Sequence, residues 1–99
     1  MEYDNMGILK ARHEINASKI TLSFGELKVG RALDNDVCIT DATVSTYHAR
    51  IFTYLNSSYV EDLQSKNGTY INGKRIEKHI LRPGDSLQVG NHTILIADN

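Results

Sequence analysis

The stretch DLQSKNGTYINGKRIE, residues 62–77, sets two Asn-Gly pairs, Asn67-Gly68 and Asn72-Gly73, among short runs of β-forming residues. Asn and Gly tolerate positive φ, as tight hairpin turns require, so the stretch predicts strands at TYI (69–71) and RIE (75–77).

The rest of the chain keeps this rhythm. Helical periodicity is poor, and segments rich in Val, Ile, Tyr and Thr alternate with turn residues about every 8–12 positions, which predicts an all-β sandwich or barrel. Further strands are expected at ILKARHEI (8–15), KITLSF (19–24), ELKVG (26–30), DVCIT (36–40), HARIFTYL (48–55), SYVEDL (58–63), SLQVG (86–90) and HTILIA (92–97). RPGD (82–85) reads as a type I or II turn with Pro83 pre-setting φ. LDND (33–36) and LNSS (55–58) read as polar loops. Alternation places Ala49, Ile51 and Leu55 on one core face, with Val37 and Ile39, Leu87 and Val89, and Ile94 and Ile96 as further inward pairs.

Length and charge narrow the function classes. A chain of 99 residues makes one domain with one modest core. Residues 1–7 read as a tail and residues 8–99 as the domain. The net charge of −1 lacks the basic excess of a general nucleic-acid or anionic-membrane binder. No apolar run approaches the roughly 18 residues of a spanning helix, and the start MEYDNMGILK has no signal-peptide pattern. The single cysteine, Cys38, cannot form an internal disulfide and reads as a small buried hydrophobe, which fits a reducing, cytoplasmic setting. The sequons at Asn16, Asn56, Asn67 and Asn91 read as chance products of an Asn-, Ser- and Thr-rich loop composition.

Enzymatic and metal chemistry find little support. Ser45 and His48, three positions apart in TVSTYHARI, have the spacing of a nucleophile and its base, but no G-x-S-x-G pattern accompanies them. His13, His48, His79 and His92 are scattered without ligand spacing, so no metal site is expected. Glu61 and Asp62 alternate across a strand and cannot face one site as an acid–base pair. No phosphate-cradling loop leads into a helix, so no nucleotide cofactor is expected.

Four polar blocks remain at the strand ends: VGR (29–31), VSTYH (44–48), DLQSKNGTYING (62–73) and RPGDSLQVG (82–90). In this order and spacing, from about residue 20 to residue 96, they resemble the forkhead-associated (FHA) domain family. The resemblance implies an FHA/SMAD-like β-sandwich of about eleven mostly antiparallel strands, with binding loops at one end and a phosphothreonine peptide as ligand. It implies a bracing role for His48 and a main-chain contact to the ligand for Asn67.

The residue chemistry suits a phosphate dianion, which offers three acceptor oxygens and about −1.5 to −2 charge. Arg31, directly after Gly30, supplies a planar fork of donors. Ser45 supplies a hydroxyl, and Thr46 another, where the family often carries Arg or Asn. Lys66 adds a mobile cation, and Asn67 an amide with donors and an acceptor. Asp62 reads as a loop-stabilising acceptor, Gly68 as serving the backbone conformation, and Asn72-Gly73 as a turn. For ligand preference, Lys74 and Arg75 favour an acidic neighbour of the phosphothreonine, whereas Asp34 and Asp36 favour a basic one.

The expectation is a non-enzymatic, phosphothreonine-dependent protein-interaction module in a kinase signalling or assembly pathway. Arg31, Ser45, Thr46, Lys66 and Asn67 form its site, and Gly30, His48, Asp62, Gly68, Asn72 and Gly73 support it. It needs no cofactor or metal, binds no nucleic acid, inserts in no membrane, and is monomeric as an isolated domain. The competing readings are a scaffold of the same fold that binds its partner without phosphate, and the regulatory domain of a larger enzyme, which would change the biological role but not this domain's chemistry.

Overall fold

The computed structural model describes residues 14–23 and 25–97. The expected tail, most of the strand expected over 8–15, and Phe24 lie outside the described residues. Eleven strands occur among those described: β1 (Glu14–Ile15), β2 (Lys19–Thr21), β3 (Gly25–Gly30), β4 (Val37–Cys38), β5 (Ala49–Tyr54) and β6 (Ser57–Asp62). They continue with β7 (Thr69–Ile71), β8 (Lys74–Ile76), β9 (Lys78–Leu81), β10 (Ser86–Val89) and β11 (His92–Ala97).

A six-stranded sheet in the order β9-β6-β5-β3-β4-β1 faces a five-stranded sheet in the order β2-β11-β10-β7-β8. Pairing is antiparallel except for β1–β4, β3–β4 and β2–β11. The inward residues follow the period-2 alternation. Leu27, Val29, Ala49, Ile51 and Val60 of the larger sheet join Ile71, Leu87, Val89, Ile94 and Ile96 of the smaller in one buried cluster. Burying such a side chain contributes roughly 1.5–3 kcal/mol, and this apolar contact holds the sheets together.

Local turn chemistry accounts for two connections. Asn72 (φ 51°) and Gly73 (φ 86°) both take positive φ between β7 and β8, a type I′ hairpin with Ile71 opposite Lys74. Gly84 (φ 92°) follows Pro83, and the Asp85 N–H donates to the Arg82 carbonyl at 3.0 Å, so the RPGD turn is type II.

Several sequence expectations are corrected. Asn67-Gly68 is not a hairpin turn, because it lies in the connection between β6 of one sheet and β7 of the other. Leu55 is 75% exposed, since the chain turns at Leu55 (φ 59°) and Asn56 before alternation could carry Leu55 inward. Ser57, read as loop, begins β6. The strand β9 was not expected. It is an edge strand paired only to β6, so just one of its four residues is buried and it carries little alternation. Strands β2 and β4 are shorter than the apolar runs that predicted them.

Register prepares the site. Val29, Ala49 and Asp62 stand side by side across β3, β5 and β6. The connections that leave β3, enter β5 and leave β6 therefore emerge together at one end of the larger sheet.

Candidate functional site

Gly30 ends β3 where two loops touch. A methyl group added there would stand 2.3 Å from the Thr46 carbonyl oxygen and 2.8 Å from Asn35 Nδ2, so only glycine permits this approach. The Arg31 N–H donates to the Ser45 carbonyl at 3.0 Å and the Ala32 N–H to the Thr46 carbonyl at 3.2 Å. Asn35, 1% exposed, donates through Nδ2 to the carbonyls of Ala32 (2.8 Å) and Thr46 (2.9 Å). The β3–β4 and β4–β5 loops thus form one body.

On that body the Arg31 side chain is partly anchored. Its Nε donates to the Val44 carbonyl at 2.9 Å, and one terminal nitrogen lies 3.5 Å from Thr46 Oγ1. No carboxylate among the described residues forms an ion pair with it. Most of its five donors remain for a ligand.

His48 joins this body to the β6–β7 loop. It is fully buried. The Ser45 N–H donates to its Nδ1 at 3.1 Å, and its Nε2 lies 2.8 Å from the Gly68 carbonyl oxygen. An N–H can only donate, so Nδ1 is the acceptor and the ring is neutral with its proton on Nε2, donating to Gly68. Burial pushes the imidazole pKa down, and the Gly68 carbonyl and the Asp62 charge restore only part of the loss. The ring therefore does not act on the Ser45 hydroxyl. Ser45 Oγ instead accepts the Lys66 N–H at 3.0 Å, which leaves its own proton free to be donated.

The β6–β7 loop is built on Asp62. Its carboxylate accepts from the Ser65 N–H (3.1 Å) and hydroxyl, and from the Thr69 hydroxyl (2.7 Å). The Gly68 N–H then donates to Ser65 Oγ at 3.0 Å. Burial pushes the Asp62 carboxyl up, but the Ser65 and Thr69 donors and nearby His48 outweigh it and hold the group below the ordinary value. Asn67, beside this turn, donates through Nδ2 to the Thr43 carbonyl at 2.7 Å. Its Oδ1 and second amide proton form no hydrogen bond among the described residues.

Arg31, Ser45, Thr46, Lys66 and Asn67 line a single open depression of about 260 Å³. Ala42, Thr43 and Val44 complete its wall, and no carboxylate lines it.

The FHA domain family model matches residues 27–90, a span covering all three loops. The chain belongs to the FHA domain family. These domains are non-catalytic interaction modules. The FHA domain-containing protein FhaB of Mycobacterium tuberculosis is 36% identical over 81 residues, 81% of this chain and 52% of FhaB. The chain thus spans about half the length of that relative. A chain solved in a structural and functional analysis of phosphothreonine-dependent FHA domain interactions superposes with a TM-score of 0.74 at 28% identity, covering 79% of this chain and 81% of that one. The FHA domain of the CT664 protein from Chlamydia trachomatis gives a TM-score of 0.73 at 32% identity, with 79% and 81% coverage.

Within the FHA fold, all five expected contact residues share the depression, whereas the expected supporting residues divide. Gly30, His48, Asp62 and Gly68 tie its loops together through the bonds and close contacts described above. Asn72 and Gly73 lie elsewhere: the Asn72 amide donates to Asp85 at 3.0 Å and accepts the Ser86 N–H at 2.9 Å, tying the β7–β8 turn to the β9–β10 turn. Gly68 (φ 92°) has a second constraint besides its backbone, because an added methyl would stand 3.0 Å from Arg75 Nε.

Two residues of the site escaped the sequence reading. Thr43 presents the carbonyl that Asn67 grips, and its hydroxyl donates to Asp41 at 2.6 Å and accepts the Asn91 N–H at 2.8 Å. Bonds from the Thr43 hydroxyl and N–H hold the Asp41 carboxyl below its usual pKa. The Asp-x-Thr spacing of an Asx-type turn was the available signal. Asn35 carried no signal, since its role depends on contact with Thr46 eleven residues later.

Among the described residues no group of three or more His, Cys, Asp or Glu side chains is placed to hold a metal ion. No helix among them is long and apolar enough to cross a membrane.

Proposed function

We propose that this domain binds phosphothreonine-containing peptides or proteins through the depression between its β3–β4, β4–β5 and β6–β7 loops. The observation that carries the reading is a cluster of an arginine fork, a free hydroxyl proton and a lysine in a wall without carboxylates. A dianionic group there meets donors and cations only, and charge-assisted hydrogen bonds of this kind contribute roughly 1.5–3 kcal/mol each. Arg31 and Ser45 hold the phosphate, Thr46 and Lys66 assist, and Asn67 fixes the peptide backbone beside it. The similar chain from the phosphothreonine-dependent FHA interactions supports the ligand class.

In this reading the domain works where a protein kinase writes the ligand, in the cytoplasm, as a signalling or assembly adaptor. Its buried free Cys38 suits that reducing setting. The test is a titration of phosphothreonine peptide libraries by fluorescence anisotropy beside their unphosphorylated counterparts. Preferential binding of the phosphorylated forms supports the reading. Equal affinity for both would replace it with phosphate-independent docking.

A further inference from the structure

Thr43 lines the depression, yet its hydroxyl proton is already committed elsewhere. The hydroxyl donates to Asp41 Oδ1 at 2.6 Å, and an ionised carboxylate can only accept, so the direction of that bond is fixed. The same hydroxyl oxygen accepts the Asn91 N–H at 2.8 Å, and the Thr43 N–H donates to Asp41 Oδ1 at 2.7 Å. Thr43 is thus held twice, by Asp41 within its own loop and by the turn between β10 and β11 of the smaller sheet.

That turn, Gly90-Asn91, packs closely against it. A methyl added at Gly90 would stand 2.5 Å from the Thr43 carbonyl oxygen and 2.6 Å from its hydroxyl oxygen, so glycine is needed for the approach. The Gly90 N–H donates to the Gly68 carbonyl at 3.3 Å, the same carbonyl that accepts from His48. Gln88 braces the turn by donating from Nε2 to the Gly90 carbonyl at 2.8 Å. What Thr43 gives the site is its carbonyl, which accepts from Asn67 Nδ2 at 2.7 Å. Among the described residues this is the one hydrogen bond of the Asn67 side chain.

We propose that Thr43 is a positioning residue for phosphopeptide binding: fixed through its hydroxyl by Asp41 and the β10–β11 turn, it orients the Asn67 amide through its carbonyl. The proposal rests on the phosphothreonine reading above and adds a route by which the smaller sheet sets ligand affinity. An untethered asparagine side chain must be ordered when the ligand arrives, whereas a tethered one is ordered beforehand, and that difference appears as affinity. Judged by residue type alone, the Thr43 hydroxyl would instead be one more donor to the phosphate. The two roles differ in whether the effect of Thr43 passes through Asn67.

The test is a double-mutant cycle on the whole chain, read by fluorescence anisotropy with one phosphothreonine peptide and its unphosphorylated counterpart. Thr43→Val keeps the shape and removes the hydroxyl, and it weakens phosphopeptide binding by about 2- to 10-fold. Thr43→Ser, which keeps the hydroxyl, restores binding to within about 2-fold of wild type. In an Asn67→Ala background Thr43→Val causes no further loss. Asp41→Ala reaches the same hydroxyl from a residue outside the depression, and it also serves where Thr43→Val fails to fold. Removing that carboxylate favours an anion on charge alone, so a weakening by Asp41→Ala has the sign that only positioning gives. Equal losses from Thr43→Val with and without Asn67, or tighter binding by Asp41→Ala, overturn this proposal alone. Wild-type affinity in a folded Thr43→Val chain does the same. Equal affinity of the wild-type chain for both peptides overturns the parent reading and the proposal with it.

Discussion

His48 and Gly68 are joined by a 2.8 Å hydrogen bond from the imidazole Nε2 to the main-chain carbonyl, twenty residues apart in the chain. The other ring nitrogen holds the Ser45 N–H, so one neutral side chain sets the spacing between the serine loop and the asparagine loop. Protonation would add a hydrogen to Nδ1 facing the Ser45 N–H and break that bond.

Stability should therefore fall on acidification. The His48 pKa is lowered by burial from an unfolded value near 6.5, so between the two values the unfolded chain binds more protons. The stabilisation is fully present above about pH 6.5 and is lost as pH falls through the folded-state pKa, with a slope of up to about 1.4 kcal/mol per pH unit. Asp62 is also shifted down, so its contribution is present above its unfolded value near 3.9 and is lost in a separate, more acidic window. Urea midpoints at several pH values and an NMR titration of the His48 ring check this. A ring midpoint at or above 6.5 contradicts the assigned tautomer's stabilisation.

Arg31→Ala should weaken phosphothreonine-peptide binding by about 2 kcal/mol while the melting temperature changes little, because the side chain is exposed and anchored by one carbonyl. Arg31→Lys should recover only part of the loss, since an ammonium cannot reproduce the fork. Isothermal titration of both variants decides it, and full affinity in Arg31→Ala removes the residue from the site.

Gly30→Ala should destabilise the domain by roughly 1–3 kcal/mol, the usual cost of overpacking. The new methyl would meet the Thr46 backbone oxygen at 2.3 Å, and backbone cannot swing aside as a side chain can. Since Gly30 takes no positive φ, the effect is one of space alone. Thermal unfolding measures it, and wild-type stability would show that the two loops separate freely.

Ile51→Ala should cost about 2–5 kcal/mol through the cavity it leaves between the sheets. Ile51 is 1% exposed and belongs to the shared apolar cluster. Chemical denaturation gives the value. A loss below 1 kcal/mol would mean that the core collapses around the gap.

The sequence by itself determined the class of fold, most strand positions, and the residue types of the site. Those rest on local physics: alternation writes Val37, Leu87 and Ile94 inward, and Asn72-Gly73 can form a type I′ turn wherever it stands. Where alternation is weak the reading failed, as at the edge strand β9, or at Leu55, where the chain had already turned outward. Asn67-Gly68 misled for a related reason. The same dipeptide serves a hairpin or a sheet-crossing loop, and only the partner of the next strand distinguishes them. Tertiary structure alone decided what connects the site. The Asn35 grip on Thr46, the Thr43 carbonyl beneath Asn67, and Arg75 over Gly68 are contacts between loops distant in sequence. Such contacts depend on sheet register, which places Val29, Ala49 and Asp62 in one row and brings their loops to a common end.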